Sequence, residues 1–457
     1  MTTAKFIAIG LFACGIGNIP LCALSQSQTS AVIHPSANIP SQSQSSAVTQ
    51  PPANVSSQPQ APVKTQPSTN VSSLTQPAIW IQSSANVPSQ PQTSTGIQPP
   101  ANAPSQTRTP PDFTKLDRWL DDNAKDIGGR AILLVYKDGK PVYSQSINEM
   151  SRKQKMTYRF VARRMKKETN TDDYTPTTRQ PIASCSKWLS AALVMTFVDE
   201  GKLSLSDTVG KYLPVLSRHG KGMITISECL SHLTAIKEPP LKENLRQMKD
   251  IGSMDEAIEK IAAMPMEGQP GKVFHYSNAG LQIAGAVIEK ISGKSFESLF
   301  AERIACPLDL QNTDFGKGRV ALPAGGAGST PEDYMKFLEM ILHKGVFNGH
   351  RVLSEHSIAE MQVNRVGPDT KIAWSPAGME NIGYGYGEWI LLNPVTRQPT
   401  GAVTSPGLFG SIPWIDNTRG YSAFLMTFYL NNQGREQRLK ELKQRTDEAL
   451  GFSADLQ

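Results

Sequence analysis

The sequence predicts an α+β fold: an antiparallel β-sheet flanked by N- and C-terminal helices, with a mostly helical region inserted between its early and late strands. Three observations carry this prediction. A helical period followed at once by a hairpin signal opens the folded part. Residues 184–365 read as mixed helices. Strands and one amphipathic helix close the chain.

The elements follow in order. Phe113 to Ala124 places Phe113, Leu116, Trp119 and Leu120 on one helical face. Ala131 to Tyr136 is an apolar run that meets Asp138-Gly139, a turn-forming pair, before Pro141-Val142-Tyr143, so the stretch reads as a hairpin. Gly383 to Leu392, Gly407 to Ile415 and Tyr421 to Leu430 read as strands, and Arg435 to Leu450 as the closing helix.

The chain has 457 residues, but only residues 111–457 have the composition of a folded domain. All 40 acidic residues and all but three of the 46 basic ones (Lys5, Lys64 and Arg108) follow Pro110, so the domain is close to neutral. That argues against a nucleic-acid partner, which calls for a strong basic excess. Residues 1–25 read as a signal peptide, with Lys5, an apolar run from Phe6 to Cys14 and a small-x-small site at Ala23-Leu24-Ser25. Leu11-Phe12-Ala13-Cys14 offers a lipid-anchored alternative. Either way the expectation is an exported, periplasmic or secreted protein whose membrane contact is limited to such an anchor. Residues 26–110 are Ser, Gln, Pro, Ala, Asn and Thr, and Asn38, Asn54, Asn70, Asn86 and Asn102 recur every 16 residues. The units lack apolar positions that could stack, so they are expected to form a disordered linker rather than a solenoid.

Of the five cysteines, Cys14 and Cys22 lie in the signal region. Cys185, Cys229 and Cys306 are scattered without CxxC spacing, so buried free thiols are the default, with a Cys185–Cys229 bridge left open. No zinc pattern, phosphate-binding glycine loop or G-x-S-x-G elbow occurs, and neither metal nor cofactor is expected.

Chemistry enters at Ser184-Cys185-Ser186-Lys187, which opens an apolar helix running through Trp188 to Phe197. A serine hydroxyl is a poor nucleophile until a base takes its proton. Lys187, three residues on, shares its helix face, and burial would depress the lysine pKa toward a usable base. Ninety-two residues after Ser184, Tyr276-Ser277-Asn278 precedes another apolar helix. A phenol there can shuttle a proton, and an amide can hold a substrate carbonyl or orient the lysine. The plain alternative is a core tyrosine and an asparagine helix cap.

The flanks extend the pattern. Thr175-Pro176-Thr177-Thr178 precedes Ile182-Ala183-Ser184, and Leu230-Ser231-His232, Pro270-Gly271-Lys272-Val273-Phe274-His275-Tyr276-Ser277-Asn278, Pro307-Leu308, Asn312-Thr313 and Pro323-Ala324-Gly325-Gly326 follow in order. With these segments the chain resembles the class C β-lactamase, DD-peptidase and esterase group of penicillin-recognising serine hydrolases, over about residues 115–450. The resemblance implies a β-lactamase/DD-transpeptidase-like fold. It makes Ser184 the nucleophile, Lys187 its base, Tyr276 the second proton-transfer group and Asn278 a substrate contact. It places the backbone N–H groups of Ser184 and Leu408 at the oxyanion hole and makes Ser405 and Gly407 substrate-binding. The substrate is then a small-molecule or peptide ester or amide.

Three departures shape that expectation. The family's third motif, Lys-Thr-Gly or His-Thr-Gly, stands here as Ser405-Pro406-Gly407. Loss of the cation disfavours carboxylate-bearing β-lactams and peptide termini and favours an esterase or amidase. Leu233-Thr234-Ala235 replaces the usual Thr-Ser-Gly. The run Arg152 to Lys167 holds eight basic residues and no acid, read either as a solvated loop or as a contact for anionic partners such as cell-wall polymer or lipid headgroups. Two alternatives stand beside the esterase reading: a peptidoglycan DD-peptidase or weak β-lactamase, and a catalytically silent envelope binding protein of the same fold.

Overall fold

A computed structural model of the chain describes residues 110–453, except 165–168, 249–250, 317, 377–381 and 431–433. The expectations for the signal peptide and Cys14, for the linker up to Thr109, and for Lys166 and Lys167 of the basic run lie outside the described residues.

The elements that frame the domain are α1 (Thr114–Asn123), β1 (Arg130–Lys137), β2 (Lys140–Asn148), α2 (Arg152–Arg164), α3 (Ser186–Asp199), α4 (Ala279–Ser292), α5 (Pro331–Leu342), β3 (Gly383–Tyr384), β4 (Trp389–Leu392), β5 (Pro399–Thr404), β6 (Ile412–Asp416), β7 (Tyr421–Thr427) and α6 (Arg435–Ala449). The seven strands form one antiparallel sheet in the order β2-β1-β7-β6-β5-β4-β3. The β1–β2 turn places both Asp138 (φ 53°) and Gly139 (φ 72°) in the left-handed region, as a tight hairpin with the strands' own twist requires.

Alternation along the pleat sorts the core into two layers. Ala131, Leu133, Val135, Ala423 and Leu425 face the terminal helices, meeting Leu116 and Leu120 of α1 and Leu439 and Leu442 of α6. Ile132, Leu134, Phe424 and Met426 point the other way, into the inserted helical region around α3, α4 and α5. One apolar cluster thus runs from this face of the sheet through α5, which packs on β1, β6 and β7, to α3. No described helix is long and apolar enough to cross a membrane.

Several boundaries differ from the sequence expectation. Gly383–Leu392 is not one strand but β3 and β4, broken at Gly387 (φ 77°). Gly407–Ile415 is a strand only from Ile412, because residues 407–410 turn, with Gly407 N donating to Ser411 O at 2.8 Å and Gly410 N to Gly407 O at 3.0 Å. β7 stops at Thr427 rather than Leu430. Strand β5 was not anticipated: it begins at a proline and bends at Gly401 (φ 86°), and its pairing with β4 and β6 is what makes it a strand. As far as Arg164 the basic run is helix α2, not a loop. No Gly or Pro interrupts it, and a reciprocal cap starts it, with Gln154 N donating to Ser151 Oγ (3.2 Å) and Ser151 N to Gln154 Oε1 (2.9 Å). Cys185 and Cys229 are buried and free, so no bridge joins them, whereas Cys306 is disulfide-bonded and departs from the free-thiol default.

Candidate active site

Ser184, the candidate nucleophile, is held by a clamp, not by its helix alone. Gln180–Pro181 pairs with Gly328–Ser329, and Ile182 N donates to Ala327 O at 3.0 Å. The chain then passes through Ala183 at φ 47°, a left-handed conformation that costs a residue with a Cβ about 1–2 kcal/mol. One 3₁₀ turn, Ala183–Cys185, carries Ser184 before α3 begins at Ser186. Ser186 Oγ donates to Ala183 O (2.5 Å) and accepts from Ala327 N (3.0 Å), which fastens the strained turn. Ser184 is half-buried, while Cys185, Ser186 and Lys187 are buried.

Helix α3 is buried from Ser186 to Phe197, so Lys187, 1% exposed, stands among apolar groups. Burial disfavours the ammonium and brings the Lys187 pKa down to about 7, against a smaller opposing pull from Glu238. The lysine Nζ has three polar neighbours: Ala324 O at 2.7 Å, Asn278 Oδ1 at 3.3 Å and Ser184 Oγ at 3.3 Å. A neutral amine has two N–H groups and one lone pair. The carbonyl and the amide oxygen take the two N–H groups, which leaves the lone pair for the serine hydroxyl.

Tyr276 is set by the strand before it. Val273–His275 pairs in parallel with Lys371–Trp374, and Tyr276 N donates to Trp374 O at 3.0 Å. Its ring stacks on Trp389 with centroids 5.2 Å apart and lies 4.5 Å from the His232 ring. Burial pushes the Tyr276 phenol's pKa well up, against a smaller opposing effect of the Ser184 hydroxyl, so it stays protonated. Lys187 Nζ lies 4.8 Å from the Tyr276 ring centroid. His232 supports the cluster: burial pushes it well below the usual histidine range, its Nδ1 accepts from Ser277 N (3.3 Å) and its Nε2 meets Tyr384 Oη (3.0 Å).

Asn278 occupies the N-cap position of α4, yet its side chain makes no cap bond. The amide oxygen is given to Lys187 instead, so the plain helix-cap reading does not hold. Its backbone N–H donates to the Glu238 carboxylate at 3.0 and 3.2 Å. Glu238 escaped the sequence reading. It lies on the loop after Leu233-Thr234-Ala235, 40 residues from its partner, and no motif spacing points to it. Burial raises its pKa, against the Asn278 N–H and Lys187.

The third motif packs against the nucleophile turn. The Ser405 hydroxyl donates to Gly387 O (2.9 Å) and lies 3.3 Å from Ser184 O, both backbone groups. Gly407 approaches so closely that a Cβ there would lie 2.3 Å from Ile182 O. Leu408 N has no acceptor among the described residues, and Leu408 O accepts from Arg435 Nη2 at 3.1 Å. All of the residues expected at the site, Ser184, Lys187, Tyr276, Asn278, Ser405, Gly407 and Leu408, thus come together at the α3 N-terminus beside the β5–β6 turn. A cavity of about 380 Å³ lies elsewhere, lined by Leu391, Thr400 and Leu439 between the sheet and α6.

Known proteins resemble this chain in sequence or in fold. Protein Rv1367c of Mycobacterium tuberculosis (strain ATCC 25618 / H37Rv) is 24% identical, over 51% of this chain and 71% of that one. A solved candidate beta-lactamase of Bacteroides dorei DSM 17855 is 25% identical, with a TM-score of 0.62 over 75% of this chain and 99% of that one. EstCE1, described as a hydrolase with promiscuous acyltransferase activity, is 19% identical, with a TM-score of 0.58 over 74% and 98%, a likeness of fold. The Beta-lactamase family model matches residues 116–448, which takes in the sheet, the helical insertion and every residue of the site, and the chain belongs to that family.

Proposed function

We propose that this domain is a serine hydrolase, an esterase or amidase that forms an acyl-enzyme on Ser184 with Lys187 as base. The observation that carries the reading is the set of neighbours around Lys187 Nζ, which accounts for both N–H groups of a neutral amine and turns its lone pair to Ser184. In the first step Nζ takes the Ser184 proton while Oγ bonds to the substrate carbonyl carbon. The oxyanion is received by the N–H groups of Ser184 and Leu408. Tyr276 passes a proton to the leaving group as its bond to carbon breaks, and is reprotonated from the lysine. Water then attacks the ester on Ser184, gives its proton back through the same pair, and frees the serine.

Three features favour an uncharged acyl group. The position of the family's third-motif cation is a serine whose hydroxyl is engaged with backbone. A carboxylate, Glu238, stands on the other side of Asn278 and repels anionic substrates. Trp374 is exposed beside Tyr276, with ring centroids 6.1 Å apart, and offers an apolar surface at the rim. The activity described for EstCE1 is in keeping with acyl transfer on this fold.

The test is intact-mass spectrometry of the full chain after exposure to a fluorophosphonate probe, beside Ser184→Ala and Lys187→Ala. One adduct per chain, lost in both variants, is expected. An unlabelled, well-folded protein would replace the hydrolase with the silent binding protein.

A further inference from the structure

Helix α2 concentrates positive charge that no ion pair among the described residues neutralises. Its 13 residues carry Arg152, Lys153, Lys155, Arg159, Arg163 and Arg164 and no acid. Among the described residues none of these six forms an ion pair; Arg159 makes one hydrogen bond, to Thr171 Oγ1 at 3.4 Å. One face anchors the helix: Tyr158 meets Phe428 edge-on at 6.0 Å, the Arg130 guanidinium lies 4.6 Å from the Tyr158 ring centroid, and Ala162 is buried. On the outer face Met156 and Phe160, one turn apart, are 71% and 65% exposed. The other strongly exposed apolar side chains, Met223 and Val395, stand far apart in sequence and outside any helix or strand.

An acid-free helix that displays an apolar pair among cations fits a surface with anionic groups outside and an apolar phase beneath. A soluble acidic polymer would satisfy the charges but offer Met156 and Phe160 nothing to enter. A protein partner could cover the two side chains, but it gives no reason for six cations around them that form no ion pair among the described residues. We propose that α2 is an interfacial helix that seats this domain on a bilayer containing anionic lipid, with Met156 and Phe160 among the acyl chains and the cations at the headgroups. This adds a membrane contact to the lipid anchor that the sequence left open, and the two reinforce each other, since a single weak membrane signal binds reversibly. It also sets the orientation of the site. Tyr158 touches Phe428, Phe428 lies 4.7 Å from Phe409, and Phe409 follows Leu408 of the nucleophile cleft. The inference does not depend on turnover at Ser184.

The experiment is co-sedimentation of the full chain with vesicles of phosphatidylcholine alone or mixed with an equal part of phosphatidylglycerol. The variants are Met156→Ser/Phe160→Ser and Arg163→Glu/Arg164→Glu, whose N-terminal segments are unchanged. All four positions are exposed, and the circular dichroism of both variants should match that of the parent. Binding roughly tenfold stronger to the anionic vesicles, cut about fivefold or more by each double variant and weakened by added salt, is expected. Parent-like binding by either variant overturns the proposal. So does equal binding of the Ser variant alongside capture by soluble polyglutamate, which would make the partner an acidic polymer. A dimer that the Ser variant dissolves would instead make the face a contact between copies.

Discussion

Lys187 is the residue on which chemistry and environment meet. Its pKa near 7 comes from burial, and the nearby Glu238 charge works against that shift. The base form is the neutral amine, so kcat/KM should rise with pH through about 7, tenfold per unit below it, and level off above. Glu238→Gln removes an anion that favours the ammonium. The lysine pKa then falls and the limb of the profile should move to lower pH. A pH–rate series on an uncharged ester measures both. A limb that stays in place or moves upward would show that Glu238 does not act on the base. The same variant should improve kcat/KM for a carboxylate-bearing ester relative to a neutral one. Ser184, Lys187, Tyr276 and Asn278 were all legible because each belongs to a short motif. Glu238 and the direction of the Ser405 hydroxyl were not, because both depend on segments that meet only after folding.

At the level of elements, the site rests on close backbone approaches. Gly280, in the first turn of α4, packs so tightly on the short helix Ile226–Leu230 that an added Cβ would lie 2.2 Å from Cys229 O. A carbonyl cannot swing away as a side-chain tip can. Gly280→Ala should therefore destabilise the domain by about 1–3 kcal/mol, seen as a lower Tm in thermal unfolding, and should also reduce activity, because α4 carries Asn278 at its start. An unchanged Tm would mean that the helices separate freely. Helices α1 and α6 and the β1–β2 hairpin were readable because period and turn chemistry are local. The break at Gly387 was not: its cause is the backbone of α3, where a Cβ at residue 387 would come within 2.5 Å of Lys187 O. The Ser151–Gln154 cap on α2 is a structural finding: a charge-dense run reads equally as a solvated loop until the cap and the helix are seen.

For the whole molecule, composition divides the chain near Pro110. Only Lys64 and Arg108 offer trypsin a site between residues 26 and 110. Brief trypsin treatment should cut at Arg108 and leave a fragment that begins at Thr109, retains the fluorophosphonate reaction and unfolds at the parent's temperature. Loss of labelling in step with that cut would show that the preceding segment supports the site. Esters and amides presented on vesicles would then be the natural substrates to compare with soluble ones, if α2 sets the domain on a bilayer.

The sequence by itself determined the fold class, the two terminal helices and the hairpin, and the four motif residues of the site, because period, turn residues and motif spacing are properties of short stretches. Tertiary structure alone decided that β5 is a strand, since its ladder partners lie elsewhere in the chain. It decided that the Lys187 pKa falls to about 7, since desolvation is the work of the whole helical layer. It also decided that Asn278 holds the lysine rather than capping its helix. Those outcomes depend on which groups are brought to the same place and deprived of water, and no local pattern records that.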